Sequence, residues 1–244
     1  MTRPSKQIND SLVERAAENI VNPDLTAVAD ESINEDSALA RLQDADFPPG
    51  LIEQLSKDAV ATKSRKVKLA IVRHAKTPRY VSLSVMRHLF TFDLMQVALT
   101  TVLAGDLKMA AEETLINRLE TISAGEKLTL ARRASGRVAG ALLLDSEPRI
   151  ISAALENPRL TEALVSRALV RDEASPALVQ AVCDHAKWSL RREVRIALLR
   201  NGHTPADTAI EFAKSLPNDV VREILTNSRL PENVRIQLAP ASDL

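Results

Sequence analysis

The sequence predicts an all-α chain, an α-solenoid of stacked short helical hairpins, and three observations carry that expectation. The 244 residues are 45% hydrophobic but only 2% aromatic, so the core must be filled by Ala, Leu, Val and Ile. Six glycines are present, well under the average usage of about 7%, and too few for the tight turns that sheets, barrels and dinucleotide folds require. A nine-residue turn pattern also recurs along the chain, which is how a repeat architecture announces itself in sequence.

That pattern reads small residue, two apolar positions, Arg, a short polar residue, two free positions, Ser or Thr, and Pro. It is clearest at Ala70–Pro78, Ala168–Pro176 and Ala197–Pro205. Degraded copies run over Ala40–Pro48, where Gln43 and Phe47 depart from it, and Glu223–Pro231, where Thr226 and Leu230 do; Ala153–Thr161 is looser, its proline moved to Pro158. Physically this is one helix ending and another beginning. Arg in a last turn complements the negative helix end, Asp or Asn tolerates the irregular backbone after it, Ser or Thr caps the next helix, and Pro suits its first position. The third and seventh residues after each proline, Leu51 and Leu55, Val81 and Val85, Val179 and Cys183, Thr208 and Phe212, Val234 and Leu238, are apolar except Thr208. Positions four apart share a helix face, so these pairs mark a buried stripe. Units of about 26 to 33 residues cannot bury such a face alone and must stack.

Between Pro78 and Pro176 the pattern predicts helices over 94–103, 108–123, 126–144 and 149–155. Gly136 and Gly140 fall in the third, four apart, where they let a neighbouring helix approach closely. The N-terminal end differs: residues 1–50 carry four Lys/Arg and ten Asp/Glu, a net of −6, while residues 51–244 carry +6 and the whole chain is neutral. Ser11–Glu14 matches a capping box, with Ile8, Leu12, Ala16 and Ile20 at helical spacing; residues 22–37 lack a sustained period and read as a loop or linker. The expected division is therefore an acidic N-terminal helix and linker over 1–37 and a repeat domain over 38–244.

The run Leu55 to Pro78, with Asp58, Val67, Ala70, Ile71, Val72, His74, Thr77 and Pro78, resembles the leucine-rich repeat variant, a member of the armadillo/HEAT-like superfamily of helical solenoids. The likeness covers about residues 38–90 and 150–238, the centre being similar only to a generic helical repeat. It implies an architecture and says almost nothing about activity. Some members of that family bind an N-terminal iron–sulfur cluster through several cysteines; this chain, with Cys183 alone, departs from them.

Catalytic and metal patterns are not legible. His74, His88, His185, His203 and Cys183 give no zinc-ligand spacing, and no phosphate loop, G-x-G-x-x-G or G-x-S-x-G occurs, so no cofactor is expected. Cys183 lies on the buried stripe and reads as a core thiol; His74 and His203 read as hydrogen-bonded corners. Met1–Glu18 lacks the apolar stretch of a secretory signal, and Leu94–Ala104 is shorter than the roughly 20 residues that span a bilayer. A cytoplasmic protein without a membrane segment is expected.

Charge supplies the one unusual local feature. Between Asp58 and Asp93 there is no acid and eight bases: Lys63, Arg65, Lys66, Lys68, Arg73, Lys76, Arg79 and Arg87. Further bases cluster at Lys127, Arg132, Arg133 and Arg137, and at Lys187, Arg191, Arg192, Arg195 and Arg200. In a register of stacked units Arg73, Arg171 and Arg200 are expected to form a ladder along one edge. The basic surface of Arg65, Lys66, Lys68, Arg73, Arg79, Arg191, Arg192 and Arg195 is the candidate binding site. Three readings of it stand: helix capping, an anion rail, and docking of the acidic N-terminal 50 residues. The expected function is a non-catalytic scaffold for protein–protein interaction, its partner acidic or helical. The alternative is a nucleic-acid binder that uses the basic patches as phosphate clamps. A base-repair enzyme is the sharp form of that alternative and would need Trp188 and Asp184 on one face.

Overall fold

A computed structural model describes residues 34–239; the capping box at Ser11–Glu14, its helix and the linker over 22–33 lie outside them. Among the described residues there are fifteen α-helices and no strand. The first half contains α1 (Glu35–Gln43), α2 (Pro49–Lys57), α3 (Arg65–Arg73), α4 (Arg79–Met86), α5 (Thr91–Leu99), α6 (Gly105–Arg118) and α7 (Ala124–Arg133). The second contains α8 (Gly136–Leu142), α9 (Pro148–Leu155), α10 (Glu162–Leu169), α11 (Pro176–Cys183), α12 (Arg192–Arg200), α13 (Ala206–Lys214), α14 (Asn218–Thr226) and α15 (Glu232–Leu238). A single 3₁₀ turn, Ala61–Lys63, precedes α3.

Short side-chain caps set several boundaries and correct the expected ones. The helix expected over 126–144 is two helices. Ser123 and Glu126 form a capping box at the start of α7, the helix ends at Arg133, and Ser135 caps α8 by accepting from the Val138 N–H. A serine hydroxyl competing for backbone N–H groups is a stop signal inside an otherwise helical pattern. The preceding two helices end earlier than expected, at Leu99 and Arg118. At the N-terminal side Asn34 caps α1 by accepting from the Ser37 N–H, so residues 35–37 are helix and not linker.

The repeated corners join successive helices, with two corrections, the first being that α10 ends at Leu169 and leaves Arg171 past the helix end, not in its last turn. Ser175 caps α11 and Pro176 takes its first position. Thr77 and Thr204 do not cap forward; each hydroxyl donates back to a carbonyl of the preceding helix, Ile71 O and Leu198 O, at 2.6 Å. Pro78 and Pro205 then stand at the cap position itself. A threonine in this place satisfies one of the unpaired C-terminal carbonyls of a helix while proline redirects the chain.

The short polar residue has a definite role at four corners, whereas Asp172 of the Ala168–Pro176 copy pairs with Arg229 instead. Asp44, His74, Asn157 and Asn201 each accept from the backbone N–H two residues on, at 2.8 to 3.2 Å. Three of them also donate one unit backwards. His74 Nε2 reaches Asp44 O at 2.9 Å, Asn157 Nδ2 reaches Ala131 O at 2.7 Å and Ala134 O at 3.2 Å, and Asn201 Nδ2 reaches Leu169 O at 2.7 Å. Because His74 Nδ1 is an acceptor, its proton sits on Nε2. Asparagine and neutral histidine can do both jobs at once; aspartate only accepts, and Asp44 occupies the first described corner.

Helices pack against their sequence neighbours and against the next but one. α2, α4, α6, α8, α10, α12 and α14 lie side by side in that order, and α1–α3–α5, α7–α9–α11 and α13–α15 do so opposite. The aliphatic core between them is continuous from Ala38 to Leu238 and includes Ile52, Ile71, Leu94, Leu130, Ile151 and Leu198, all 0% exposed. Gly136 allows the backbones to meet: a Cβ there would stand 2.2 Å from Arg159 O, and one at Gly140 would touch Leu164 at 3.4 Å. Close approach at the two glycines is thus as the spacing predicted.

Candidate binding surface

The acid-free run over 59–92 is not acid-free in space. Arg65 holds the Asp93 carboxylate through Nε at 2.7 Å and Nη2 at 2.8 Å, and its guanidinium lies 5.6 Å from the centre of the Phe90 ring. The Asp93 side chain is only 2% exposed, and its hydrogen bonds raise the Arg65 pKa above the ordinary arginine value. Arg79 meets Asp106 at 2.5 Å and Lys76 meets Asp46 at 2.7 Å, each pulling its partner's carboxyl below the usual range, chiefly by hydrogen bonding. Lys66 stands 3.2 Å from Glu35. These partners are about one unit away in sequence, so stacking brings together charges that the linear sequence keeps apart. Glu35 and Asp46 belong to the acidic first 50 residues.

Among the other candidate residues, Arg195 donates through Nε to Ser189 O at 2.7 Å and its guanidinium lies 5.1 Å from the centre of the Phe212 ring. Arg191 precedes α12 as its N-terminal flanking residue and Arg192 begins that helix, both exposed. Lys68 is half-buried and Arg73 exposed; Arg73 and Lys66 border a hollow with Leu42, Leu69, Ala70 and His74. The eight residues therefore do not form one site. Arg65, Arg79 and Arg195 are engaged within the fold, and Arg65→Ala is expected to lower the urea midpoint by leaving Asp93, 2% exposed, without its partner. Urea unfolding checks this, with Lys57→Ala, an exposed helix pair, as the near-neutral comparison.

The expected arginine ladder is also divided. Arg118 of α6 donates to Leu89 O at 2.7 Å and Arg87 O at 2.5 Å, just past the end of α4. Asn201 likewise joins the ends of α10 and α12, and Arg229 N–H joins those of α12 and α14 through Arg200 O at 3.1 Å. Arg171 and Arg200 thus lie on the edge where the even-numbered helices end. Arg73 ends α3, whose corner leads into the start of α4, so it lies on the opposite edge. Seven helices, α4 to α10, separate the corner after α3 from the corner before α11, and an odd number exchanges the two sides of the stack.

A groove on the even-numbered side brings together residues that the linear charge pattern does not group. It has a volume of about 240 Å³. Gly140 and Ala141 of α8 form its floor, bordered by Leu144 just past the end of α8, Ile116 of α6, and Leu164 and Ala168 of α10. Arg137, Arg167, Arg171 and Glu113 border it. Arg137 is paired with Glu113 and lies 3.7 Å from Glu112, whereas Arg167 and Arg171 form no ion pair with any described residue. Arg167 belongs to none of the clusters of bases in the sequence. Its legible signal is the spacing of Leu164, Arg167 and Ala168, which share one face of α10, with Arg171 just past the helix end.

The few reactive side chains are placed for packing. Trp188 is 2% exposed and donates through Nε1 to Leu155 O at 2.9 Å, while Asp184 is exposed at the end of α11. They do not share an open face, and the Trp188 ring is not available to stack on a base. Burial, with a smaller contribution from Asp184, pushes the Cys183 thiol up to about 11. Its folded-state value lies above the unfolded one, so at neutral pH it carries about a hundredfold less thiolate than a free thiol. Alkylation by iodoacetamide is expected to be slow in the folded chain, to accelerate as pH rises towards 11, and to become fast at pH 8 only in urea. Among the described residues no group of three or more His, Cys, Asp and Glu is placed to hold a metal, and no helix is long and apolar enough to cross a membrane.

In comparisons with protein-family models, curated proteins and solved structures, the chain has no match. Its likeness to the leucine-rich repeat variant therefore rests on the corner residues alone.

Proposed function

We propose that the chain is an α-solenoid of the helical-repeat class and serves as a non-catalytic scaffold that binds another protein along its even-numbered helices. The observation that carries this reading is the groove over α6, α8 and α10, a partly exposed aliphatic floor beside Arg167 and Arg171, which have no acidic partner among the described residues. The packing of each helix on its next-but-one neighbour supports the solenoid, because such a stack presents parallel helices as one extended surface. A photoreactive residue at Leu144 is expected to cross-link one discrete protein partner in cells of the source organism, and one at Arg132, on α7, to give none. Equal labelling from both positions would overturn the reading.

A phosphate-binding role has weaker support, since Arg65, Arg79 and Arg195 are engaged and Trp188 is buried. It is tested by anisotropy of labelled single- and double-stranded DNA and RNA from about 50 to 200 mM salt. Several phosphate contacts would produce a loss of about three decades or more across that range.

A further inference from the structure

We infer that the groove over α6, α8 and α10 takes an acidic amphipathic helix, with two bulky aliphatic side chains against Gly140 and Ala141 and carboxylates against Arg167 and Arg171. This rests on the scaffold reading and names the chemistry of its partner. On α8 the groove runs from Arg137 to Ala141, about 6 Å at the helical rise, a little over one turn. Two side chains at i and i+4 on a docked helix are about 6 Å apart and fit that length. Gly140 and Ala141 leave the depth for them, and Ile116, Leu144 and Leu164 wall the groove with apolar surface.

Charge selects the sign of the occupant. Arg167 lies in the last turn of α10 and Arg171 two residues past its end, both exposed, with no described acid paired to either. The nearest acid by sequence, Asp172, is held by Arg229 at 2.6 Å. Glu113 and Glu112 are engaged with Arg137. A docked helix carrying Asp or Glu beside its apolar stripe pairs both guanidiniums and can accept two parallel N–H bonds from each. A basic helix would place like charges together at the edge of an apolar floor, which specificity penalises by kilocalories.

The test is selection of random 16-residue peptides on the immobilised full chain, followed by anisotropy of the enriched peptides. Peptides with net negative charge and two bulky aliphatic residues four apart are expected, binding in the micromolar range. Arg167→Glu with Arg171→Glu should weaken them at least tenfold, and Ala141→Leu, which fills the floor without touching charge, should do likewise. Arg132→Glu with Arg133→Glu, exposed on α7, should leave binding unchanged, and circular dichroism of every variant should retain the parent helicity. Enrichment of neutral or basic peptides, equal sensitivity to both double variants, or displacement by a single-stranded 20-mer of DNA or RNA would each overturn the proposal. So would cross-links from position 144 to residues 1–33 or to a second copy of the chain. If peptides fail at the groove while position 144 still captures a discrete partner, the helix chemistry is wrong and the scaffold reading survives.

Discussion

Replacing Gly136 by alanine is expected to lower stability by about 2 to 3 kcal/mol, one of the two largest losses from a small change in this chain. The added Cβ would stand 2.2 Å from Arg159 O and 3.1 Å from the Arg159 carbonyl carbon. Both are backbone atoms, so no side-chain rotation relieves the contact, and α8 must move away from the segment leading into α10. Alanine's better helix propensity returns at most about 1 kcal/mol, less at a first helical position. Thermal unfolding should fall by roughly 5 to 10 °C at this chain length. Two glycines calibrate the result. Gly202→Ala meets Arg229 O at 2.8 Å and should cost less, and Gly125→Ala, with nothing within 4 Å, should be neutral or slightly stabilising. Equal effects at all three would show that backbone approach is not what holds the helices together. Because α8 floors the groove, Gly136→Ala should also weaken any ligand bound there.

Asn157→Asp is the second large effect, expected at about 3 to 5 kcal/mol near neutral pH. Asn157 is 1% exposed and spends both amide hydrogens' nitrogen on Ala131 O and Ala134 O while its own oxygen accepts from Arg159 N–H. Aspartate keeps the acceptor and loses the donor, leaving a buried carboxylate against two carbonyl oxygens. The folded-state pKa of that carboxyl would lie above its unfolded value. The variant is therefore least impaired below the unfolded pKa, where the protonated carboxyl can itself donate to Ala131 O, and loses stability as pH rises. Melting temperatures at pH 4 and pH 7 should show the gap to the parent widening with pH. A constant gap would mean that the charge is not the cause. Asn201→Asp, 6% exposed at the equivalent corner, should behave alike.

Much of the fold was legible because its signals are local. Capping by Ser175, proline at the start of α11, the arginines closing α3 and α12 and the aliphatic stripe behind each corner follow from rules that act within one or two turns. Cys183 illustrates the limit: the stripe placed it towards the core, and the half-buried thiol with a raised pKa agrees in direction. The helix break at Ala134–Ser135 does not follow from the expected helix over 126–144, because the Ser135 hydroxyl acts as a cap that accepts from the Val138 N–H.

The candidate site was less legible, because charge partners and groove walls come from different units. Arg65 to Asp93, Arg79 to Asp106 and Lys76 to Asp46 are each separated by about one unit, so a basic run in sequence becomes a set of ion pairs once helices stack. Arg167 gains its meaning only beside α8 and Ile116. By itself the sequence determined an all-helical chain, an aliphatic core, the corners and the close approach at Gly136 and Gly140, since these depend on backbone sterics and hydrogen bonds between near neighbours. Only the tertiary structure decided which arginines find no acid among the described residues, which edge each occupies and where a groove opens. Those depend on the register between units, and an odd number of intervening helices, seven, turns the arginine of one corner to the opposite side.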